Sequence, residues 1–342
     1  MSFETRVGRV CAPQEVDFIT RVLPDPAPGE VIVRIKASAI CGSDLHIYKG
    51  KHPSVSLPAT IGHEFAGDVA AIGPGVTQVS VGDRVTVEPC IVCGHCDACR
   101  HGEYGYCESI SFLYRNGDGS MADYIKVRAE SIFKLPDHLS YEAGALIEPL
   151  AVATHAVRRA DIRLGEKVLV IGAGAIGTLV AALCRISGAG EVVVVDYSPA
   201  RLKLAKEMGA TRTVNPGEGE KLEDVVKELT GGTGMDKTIE CVGRESTFIQ
   251  AIESLRRNGL ATIVGIFEEP MITINAMRFI NHEIRVQGAQ GYCWDFPIAL
   301  QMTREINLEK LITHTFPLEQ LKTALDTCFD REAGSMKVII KP

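Results

Sequence analysis

The feature that most restricts how this chain can fold is a glycine-rich turn with the spacing G-x-G-x-x-G, made by Gly172, Gly174 and Gly177. It follows the apolar run 168–171 and opens a helical pattern. Glycines at this spacing permit a tight turn, a close approach of a pyrophosphate, and close packing of the helix on the strand. Glycine turns that bind no ligand can have the same spacing. The surrounding sequence is therefore needed to tell whether this turn binds a nucleotide.

That surrounding sequence, from about residue 151 to 288, alternates between strand-like and helix-like segments. A helix is predicted over Pro199–Met208, because Ser198 can serve as the N-cap and proline suits the first helical position. The strand-like runs are 168–171, 192–195, 211–214, 237–240 and 260–264. This rhythm predicts an α/β fold with a parallel, doubly wound Rossmann sheet, and so a dinucleotide at the glycine turn.

The kind of dinucleotide is indicated by the end of the next strand. Asp196 follows the run 192–195 and lies 19 residues after Gly177. A carboxylate there accepts hydrogen bonds from the ribose hydroxyls and repels a 2′-phosphate, which favours NAD over NADP. Arg201 leaves the alternative open, because an arginine just past that strand can also serve a phosphate.

The first part of the chain has a different character. From residue 31 to about 136, short β-rich runs at 31–35, 65–72, 83–88 and 124–127 alternate with Gly/Pro turns, which predicts an irregular β-barrel or sandwich. After about residue 288 the strand–helix alternation stops, and a helix near 297–304 and a last strand at 336–341 follow. We therefore expect a β-rich domain over 1–150, completed by 289–342, and a nucleotide-binding domain over 151–288.

A run of cysteines within the β-rich part predicts a metal. Cys93, Cys96, Cys99 and Cys107 have the spacing C-x2-C-x2-C-x7-C, and such gaps let sulfurs converge on one tetrahedral Zn²⁺. Four sulfurs leave no open position, so this site is predicted to be structural. The alternative is a disulfide knot or scattered core cysteines, although neighbours this close bridge awkwardly. Cys90 lies just upstream but breaks the spacing.

A second set of metal-ligating residues is spread over separate segments. It consists of Cys41, the adjacent pair His63 and Glu64, and Glu148, which stands in an apolar stretch. Each has an ordinary alternative as a core or surface residue. Together they form the mixed, incomplete set expected of a catalytic Zn²⁺ with one open position. A buried carboxylate such as Glu148 also requires a partner, and a metal would supply one.

Composition excludes some classes of function. The net charge of −7 over 342 residues argues against a nucleic-acid partner. The first residues lack the apolar stretch of a signal peptide, and the uncharged segment 168–184 contains glycine breaks that fit strand, turn and helix better than a membrane span. Eleven cysteines, several of them in apolar stretches, fit a reducing compartment. We expect a cytoplasmic protein without a membrane or nucleic-acid partner.

Taken in order, these motifs resemble those of the zinc-dependent medium-chain dehydrogenases/reductases, in the branch of sorbitol-type (polyol) and L-threonine 3-dehydrogenases. The matching pieces are Cys41-Gly42-Ser43-Asp44-Leu45-His46, Gly62-His63-Glu64-Phe65-Ala66-Gly67, the cysteine run, Glu148-Pro149-Leu150-Ala151, and the glycine turn with Asp196. The resemblance implies a GroES-like catalytic domain, two Zn²⁺ per chain, NAD, and assembly as a homodimer or homotetramer through a segment near 271–286, which reads as apolar strands.

The resemblance also implies roles for individual residues. Cys41 and His63 would ligate the catalytic Zn²⁺, and Glu64 and Glu148 would alternate as carboxylate partners. Ser43 would relay the alcohol proton, and His46 would pass it to solvent. The cofactor contacts would be Gly172, Gly174, Ile176, Gly177, Asp196, Arg201, Val242, Val264, Gly265 and Ile266.

The substrate is less determined. Sorbitol-type enzymes carry an Arg-Tyr pair where this chain has Gly291 and Tyr292, which is closer to the threonine-type enzymes, yet the loop 48–58 lacks the insertion of that branch. A small-molecule secondary alcohol with a vicinal hydroxyl, such as a polyol or sugar acid, is the first expectation. L-threonine-type amino alcohols and simple alcohols or diols are the alternatives. The polar side chains expected around the substrate are Glu148, Tyr48, Arg115 and Asn116.

Overall fold

The computed structural model describes residues 2–330 and 332–342. The chain forms two compact units. The first contains residues up to 148 together with 299–303 and 307–342, and the second contains 149–298 and 304–306. Among the described residues, no helix has the length and apolar character that crossing a membrane requires.

The first unit is rich in β-structure up to residue 134. Its strands there are β1 (Phe3–Ala12), β2 (Glu15–Leu23), β3 (Glu30–Ala39), β4 (Ala59–Thr60), β5 (Glu64–Ile72), β6 (Arg84–Val87), β7 (Cys90–Ile91), β8 (Ser111–Phe112), β9 (Tyr124–Arg128) and β10 (Ile132–Lys134). Its helices up to residue 145 are α1 (Gly42–Tyr48), α2 (Asp97–Arg100) and α3 (Tyr141–Ala145), and 3-10 turns occur at Tyr104–Tyr106, Leu113–Asn116 and Ala129–Ser131. Helix α4 (Ile147–Ala160) begins in the first unit and belongs from residue 149 onward to the second.

The second unit alternates strands and helices, as predicted. Its elements are β11 (Lys167–Ile171), α5 (Ala175–Ile186), β12 (Glu191–Val195), α6 (Pro199–Met208), β13 (Arg212–Val214), α7 (Leu222–Thr230), β14 (Met235–Glu240), α8 (Glu245–Glu253), β15 (Leu255–Ile263), α9 (Met277–His282) and β16 (Arg285–Gly288). The chain continues through α10 (Phe296–Met302), β17 (Ile312–Pro317), α11 (Leu321–Phe329) and β18 (Lys337–Lys341), with 3-10 turns at Pro216–Glu218, Leu308–Leu311 and Leu318–Gln320.

The main sheet of the first unit follows the order β10-β6-β5-β3-β18-β17, with β9 also paired to β3. The last strand, β18, therefore returns from the C-terminal end of the chain and lies beside β3, where Ile340 faces Ser38 and Ile339 faces Ala39. Val33, Phe65 and Ile125 pack in the apolar core of this sheet. The hairpin β1–β2 forms a smaller sheet with β4.

The sheet of the second unit is parallel throughout and follows the order β13-β12-β11-β14-β15-β16. This is the strand order of a doubly wound dinucleotide-binding sheet, and its reversal point lies between β11 and β14. The predicted helix Pro199–Met208 is confirmed with both bounds, and the Ser198 hydroxyl accepts the backbone N–H of Arg201. The order places the carboxyl ends of β11, β12 and β14 side by side.

One prediction for this unit is wrong. The segment 271–286 was expected to form apolar strands that a second subunit could pair with, but it contains helix α9, and only β16 at its end is a strand. The reason is Asn275, whose side chain accepts the backbone N–H of Met277 and whose carbonyl accepts that of Arg278, so that a helical turn begins there. Met271 is 87% exposed and Ile280 is 70% exposed.

Candidate functional site

The four predicted cysteine sulfurs of the first unit converge, and the ligand atoms of Cys93, Cys96, Cys99 and Cys107 all lie within 4.8 Å of one another. Cys93 Sγ is 4.0 Å from Cys99 Sγ and 3.6 Å from Cys107 Sγ. Bonds of about 2.3 Å to a tetrahedral Zn²⁺ require sulfurs roughly 3.8 Å apart, so the arrangement fits the metal. All eleven cysteines are free thiols, which rules out the disulfide alternative.

The backbone around this cluster stabilises thiolates. The N–H of Cys96 donates to Cys93 Sγ at 3.3 Å, and the N–H of Cys93 donates to Cys107 Sγ at 3.4 Å. The backbone N–H groups of His95 and Cys96 lower the pKa of the Cys93 thiol to about 6. Because the thiolate is the metal-binding form, the loop is prepared for a metal by its own backbone.

The second predicted set also comes together in the first unit. The ligand atoms of Cys41, His63 and Glu64 lie within 4.8 Å of one another, and His63 and Glu64 are buried. Cys41 is the residue preceding helix α1, and Glu64 begins strand β5. One sulfur, one imidazole and one carboxylate fit a zinc site with an open position.

Asp44 holds the loops that carry these ligands, a role that the sequence did not reveal. Its side chain is fully buried. One carboxylate oxygen accepts the backbone N–H of Cys41 at 2.9 Å, and the other accepts the N–H of Gly62 at 2.9 Å. The second oxygen is also 3.8 Å from His63 Nδ1. At 3.8 Å Asp44 makes no hydrogen bond to the His63 ring, whose Nδ1 has no partner among the described residues, so Asp44 fixes the backbone beside Cys41 and His63 rather than the imidazole itself.

Glu64 has a second partner that sequence reasoning missed. Lys337 Nζ, on β18, lies 2.6 Å and 2.5 Å from the two carboxylate oxygens of Glu64. Both side chains are buried, at 4% and 1% exposure. Burial lowers the pKa of Lys337, but the Glu64 charge outweighs it and the pKa is raised, so the pair is ionic. A metal and Lys337 therefore compete for the same carboxylate.

Glu148, the other predicted carboxylate, is also buried and lies at the start of α4. Its charge acts on both His63 and Lys337. In the part of the chain that the structure describes, however, the close ligand set contains Glu64 and not Glu148. The geometry thus brings all four predicted residues into one region.

Helix α1 carries both predicted proton-relay residues. Ser43 and His46 are three residues apart, so they share one side of the helix. Ser43 is buried, and its hydroxyl has no hydrogen-bond partner among the described residues. Buried hydroxyls are normally paired, so this one is available to a ligand.

The glycine turn of the second unit has the predicted strand–turn–helix geometry. Gly172 has φ +95°, and a Cβ on Gly177 would lie 1.8 Å from the Gly172 carbonyl oxygen. Only glycine therefore allows helix α5 to approach the turn. Asp196, at the end of β12, accepts the N–H of Ala173 at 2.8 Å and that of Ser198 at 2.9 Å. Its carboxylate lies directly beside the turn, as an acceptor of ribose hydroxyls requires.

The rest of the predicted cofactor surface lies on the neighbouring strand ends. Glu240, fully buried at the end of β14, accepts the backbone N–H groups of Val242 and Gly243, both at 2.8 Å. This carboxylate shapes the loop and was not singled out from the sequence. Val242 is 38% exposed and Ile266 51% exposed, so both offer apolar surface to a planar ring.

The side chains expected around the substrate divide into two groups. The prediction that Tyr48 contacts the substrate is wrong. Its side chain is fully buried, and its hydroxyl lies 2.7 Å from Asp326 Oδ1 and 3.0 Å from the Gln14 carbonyl oxygen. Its position on the inner face of α1 turns it into the core of the unit. Arg115 and Asn116 are exposed on a 3-10 turn, although the Asn116 side chain accepts a hydrogen bond from Ser111.

Comparison with known proteins gives consistent matches. The family described as "Alcohol dehydrogenase GroES-like domain" matches residues 27–137, and that described as "Zinc-binding dehydrogenase" matches residues 175–305. Sorbitol dehydrogenase of Bacillus subtilis (strain 168) is 36% identical, covering 96% of this chain and 95% of that protein. D-arabitol-phosphate dehydrogenase of Enterococcus avium is 34% identical, with coverage of 96% and 94%. The solved structure of L-idonate 5-dehydrogenase from Escherichia coli has a TM-score of 0.92 at 29% identity and covers 100% and 99% of the two chains.

Proposed function

Because the chain belongs to the zinc-dependent medium-chain dehydrogenases, in the polyol dehydrogenase branch, we propose that it oxidises a secondary alcohol of a polyol or sugar acid to the ketone, with NAD⁺ as acceptor. The observation that carries this proposal is the open ligand set of Cys41, His63 and Glu64 on the same unit as the buried, unpaired hydroxyl of Ser43. A closed metal site would bind a metal without admitting a substrate.

The two metal sites have different tasks in this proposal. Cys93, Cys96, Cys99 and Cys107 would hold a structural Zn²⁺. Cys41 and His63 would hold the catalytic one, with a carboxylate from Glu64, which is bound to Lys337 in this structure, or from the nearby Glu148. When bound, Zn²⁺ supplies a Lewis acid for the alcohol oxygen and NAD⁺ supplies the hydride acceptor.

Ser43 and His46 transfer the proton of the substrate alcohol to solvent. The Ser43 hydroxyl accepts the proton of the substrate alcohol while its own proton passes on toward His46, which releases it to solvent. The buried position of Ser43 keeps bulk water away from the reacting oxygen, whereas His46 is only half-buried. Asp44 keeps the ligand-bearing loops and helix α1 together during this transfer.

NAD rather than NADP is proposed from Asp196, and its replacement provides a prediction. Asp196→Asn keeps an oxygen acceptor but removes the charge, and Asp196→Ser removes both. NAD⁺ affinity should fall by roughly 10- to 100-fold in the serine variant, because a charged hydrogen bond contributes about 1–3 kcal/mol, while use of NADP⁺ should rise in both variants. Titration of each cofactor, followed by kcat/KM, measures the effect.

A control for this experiment is Asp224→Ser, which removes an exposed carboxylate of the same unit on helix α7. It should leave both cofactor affinities unchanged. If the unmodified protein already prefers NADP⁺, with Arg201 holding the 2′-phosphate, the assignment of Asp196 is incorrect.

The substrate class is proposed from chemistry and from the relatives' names, which refer to a sugar alcohol, a phosphorylated sugar alcohol and a sugar acid. A metal with one open position binds best a hydroxyl that has a neighbouring oxygen. We also propose a cytoplasmic location, in agreement with eleven free thiols, which fit a reducing compartment. Assembly as a homodimer or homotetramer is proposed from the family resemblance alone.

The test is a screen of NAD⁺ reduction with polyols, aldonates, diols, L-threonine and plain secondary alcohols. We expect the highest kcat/KM for a polyhydroxy compound with a vicinal diol. A higher kcat/KM for L-threonine, or for an aliphatic secondary alcohol, than for every polyhydroxy compound would overturn the substrate class. Absence of NAD⁺ reduction with all alcohols by zinc-loaded protein would overturn the proposed reaction itself.

A further inference from the structure

The metal-binding region of the first unit is bordered by two aromatic rings. The Tyr114 ring centroid lies 5.2 Å from that of His63, and the Phe112 centroid lies 6.3 Å from it. The two aromatic rings are themselves stacked at 5.9 Å. A substrate bound through its alcohol near His63 would therefore extend along this aromatic wall, formed by Phe112 and Tyr114.

The wall carries a cation on its surface. The Arg115 guanidinium carbon lies 5.7 Å from the Phe112 centroid and 6.0 Å from the Tyr114 centroid, within the range of cation–π contacts. Within the described part of the chain, no carboxylate comes within 4.0 Å of it, whereas Arg6 and Arg9 of the same unit pair with acids. Arg115 is thus held against the aromatic rings and interacts with the Tyr114 hydroxyl, without a carboxylate partner among the described residues.

His52 adds a neutral donor next to this cation. The backbone N–H of Ser54 donates to His52 Nδ1 at 3.2 Å, so in the neutral ring the proton is on Nε2. Burial and the charges of Arg115 and His46 lower the pKa of His52 to about 4. The ring lies 6.4 Å from the Tyr114 ring, almost perpendicular to it. His52 therefore offers an N–H without adding a charge that would have to be neutralised.

The neighbouring acids do not compete for Arg115. Both oxygens of Asp44 are bound to backbone N–H groups, and both oxygens of Glu64 are bound to Lys337. The chain as a whole has a net charge of −7. The Arg115 charge therefore does not belong to a generally basic surface.

We propose that Arg115 and His52 bind an anionic end group of the substrate, a phosphate or a carboxylate, while its secondary alcohol lies at the metal site. The proposal rests on the proposed function and narrows its substrate class to anionic polyol derivatives. Arginine presents a planar fork of donors that matches the oxygens of either group. The guanidinium carbon is at most about 11 Å from the His63 ring, by addition of the two centroid distances through Tyr114.

That distance suits a sugar-sized chain. Single-bonded chains extend by roughly 1.2 Å per bond, so a hydroxyl and an end group five bonds apart are separated by roughly 6 Å. Hydrogen-bond and metal–oxygen contacts at the two ends add roughly 5 Å. A five- or six-carbon polyol derivative can therefore span even the largest separation that these distances allow.

The experiment compares pentitols and hexitols with their terminal phosphate monoesters and with the corresponding aldonates. For the unmodified protein, kcat/KM should be highest for one of the two anionic classes, and which class it is distinguishes phosphate from carboxylate. Arg115→Met keeps the stem that packs on the rings and removes the charge. This variant should lower kcat/KM for the anionic substrate by about 10- to 100-fold, mainly by raising KM. Its kcat/KM for the neutral polyol should change by less than about threefold. Arg115→Lys should lower kcat/KM for the anionic substrate less than Arg115→Met does, because lysine retains the charge.

Two further measurements keep the outcome decisive. Inorganic phosphate should inhibit the unmodified protein competitively against the alcohol, and Arg115→Met should weaken that inhibition by a similar factor. Lys310→Ala, which removes an exposed cation elsewhere in the same unit, should change neither. Equal losses for neutral and anionic substrates in Arg115→Met, or neutral polyols oxidised best with no response to phosphate, would overturn the inference while leaving the proposed reaction intact.

Discussion

Replacing His63 with alanine is expected to reduce alcohol oxidation by roughly 10³-fold or more while the fold persists. The ring supplies one of the few ligands of the open metal site, and loss of a Lewis acid removes several kcal/mol of transition-state stabilisation, about a factor of ten for each 1.4 kcal/mol. The four-cysteine site does not depend on His63, so metal analysis should give one zinc per chain where the unmodified protein holds two.

Thermal unfolding and far-UV circular dichroism measure whether the fold persists. The control is His101→Ala, a histidine of the same unit whose side chain is 69% exposed. It should retain both zinc ions and full activity. A chelator applied to the unmodified protein should reproduce the His63→Ala result, because an open site exchanges its metal before a closed one. One tightly bound zinc together with full activity would contradict the two-site assignment.

The parts of this molecule that were predictable from sequence are those in which function imposes a local spacing. The cysteine run and the glycine turn are each contained in fewer than twenty residues, so their geometry follows from chain connectivity. The strand–helix alternation of the second unit was predictable for a similar reason, since the central strands β11 and β12 are apolar runs after their first residue. These features were located with their bounds or within a few residues of them.

Contacts between distant segments were not predictable. Lys337 lies 273 positions from Glu64 and meets it only because β18 returns to lie beside β3. The sequence around Lys337 does not distinguish it from an exposed lysine on an edge strand. Asp44 was visible within the Cys-Gly-Ser-Asp motif, but its role depends on an N–H of Gly62, which only the folded backbone brings to it.

The two wrong predictions failed for different reasons. Tyr48 lies on helix α1, and its hydroxyl donates to Asp326, 278 positions away, so its burial depends on a contact between distant segments. The segment 271–286 was read as strands because it is apolar, but a helical turn begins at Asn275 through local hydrogen bonds. Apolar content in so short a segment does not distinguish a helix from a strand.

Replacing Ser43 with alanine is expected to reduce alcohol oxidation by about 10²- to 10⁴-fold, the range for a positioned acid–base group. Zinc content and NAD⁺ affinity should stay the same, because the hydroxyl has no partner within the protein whose loss would disturb the site. Ser43→Thr retains a hydroxyl and should recover part of the activity. Ser38→Ala is the matched control, since Ser38 is a buried serine of the same unit whose hydroxyl is bonded to Ser120; it should affect stability more than kcat.

His46→Ala distinguishes a relay from a purely structural effect of Ser43. The histidine is half-buried at the outer end of the proposed path, where water can take its place, so its removal should cost less than that of Ser43. The deficit should also shrink as pH rises, because solvent then accepts the proton more readily, whereas the Ser43→Ala deficit should persist since no water replaces a buried hydroxyl. The measurement is kcat/KM across pH for both variants and for the double variant. In a relay, the double variant should be little worse than Ser43→Ala alone, because both residues act on the same proton. Equal, pH-independent and additive losses would mean that the two residues do not share a path.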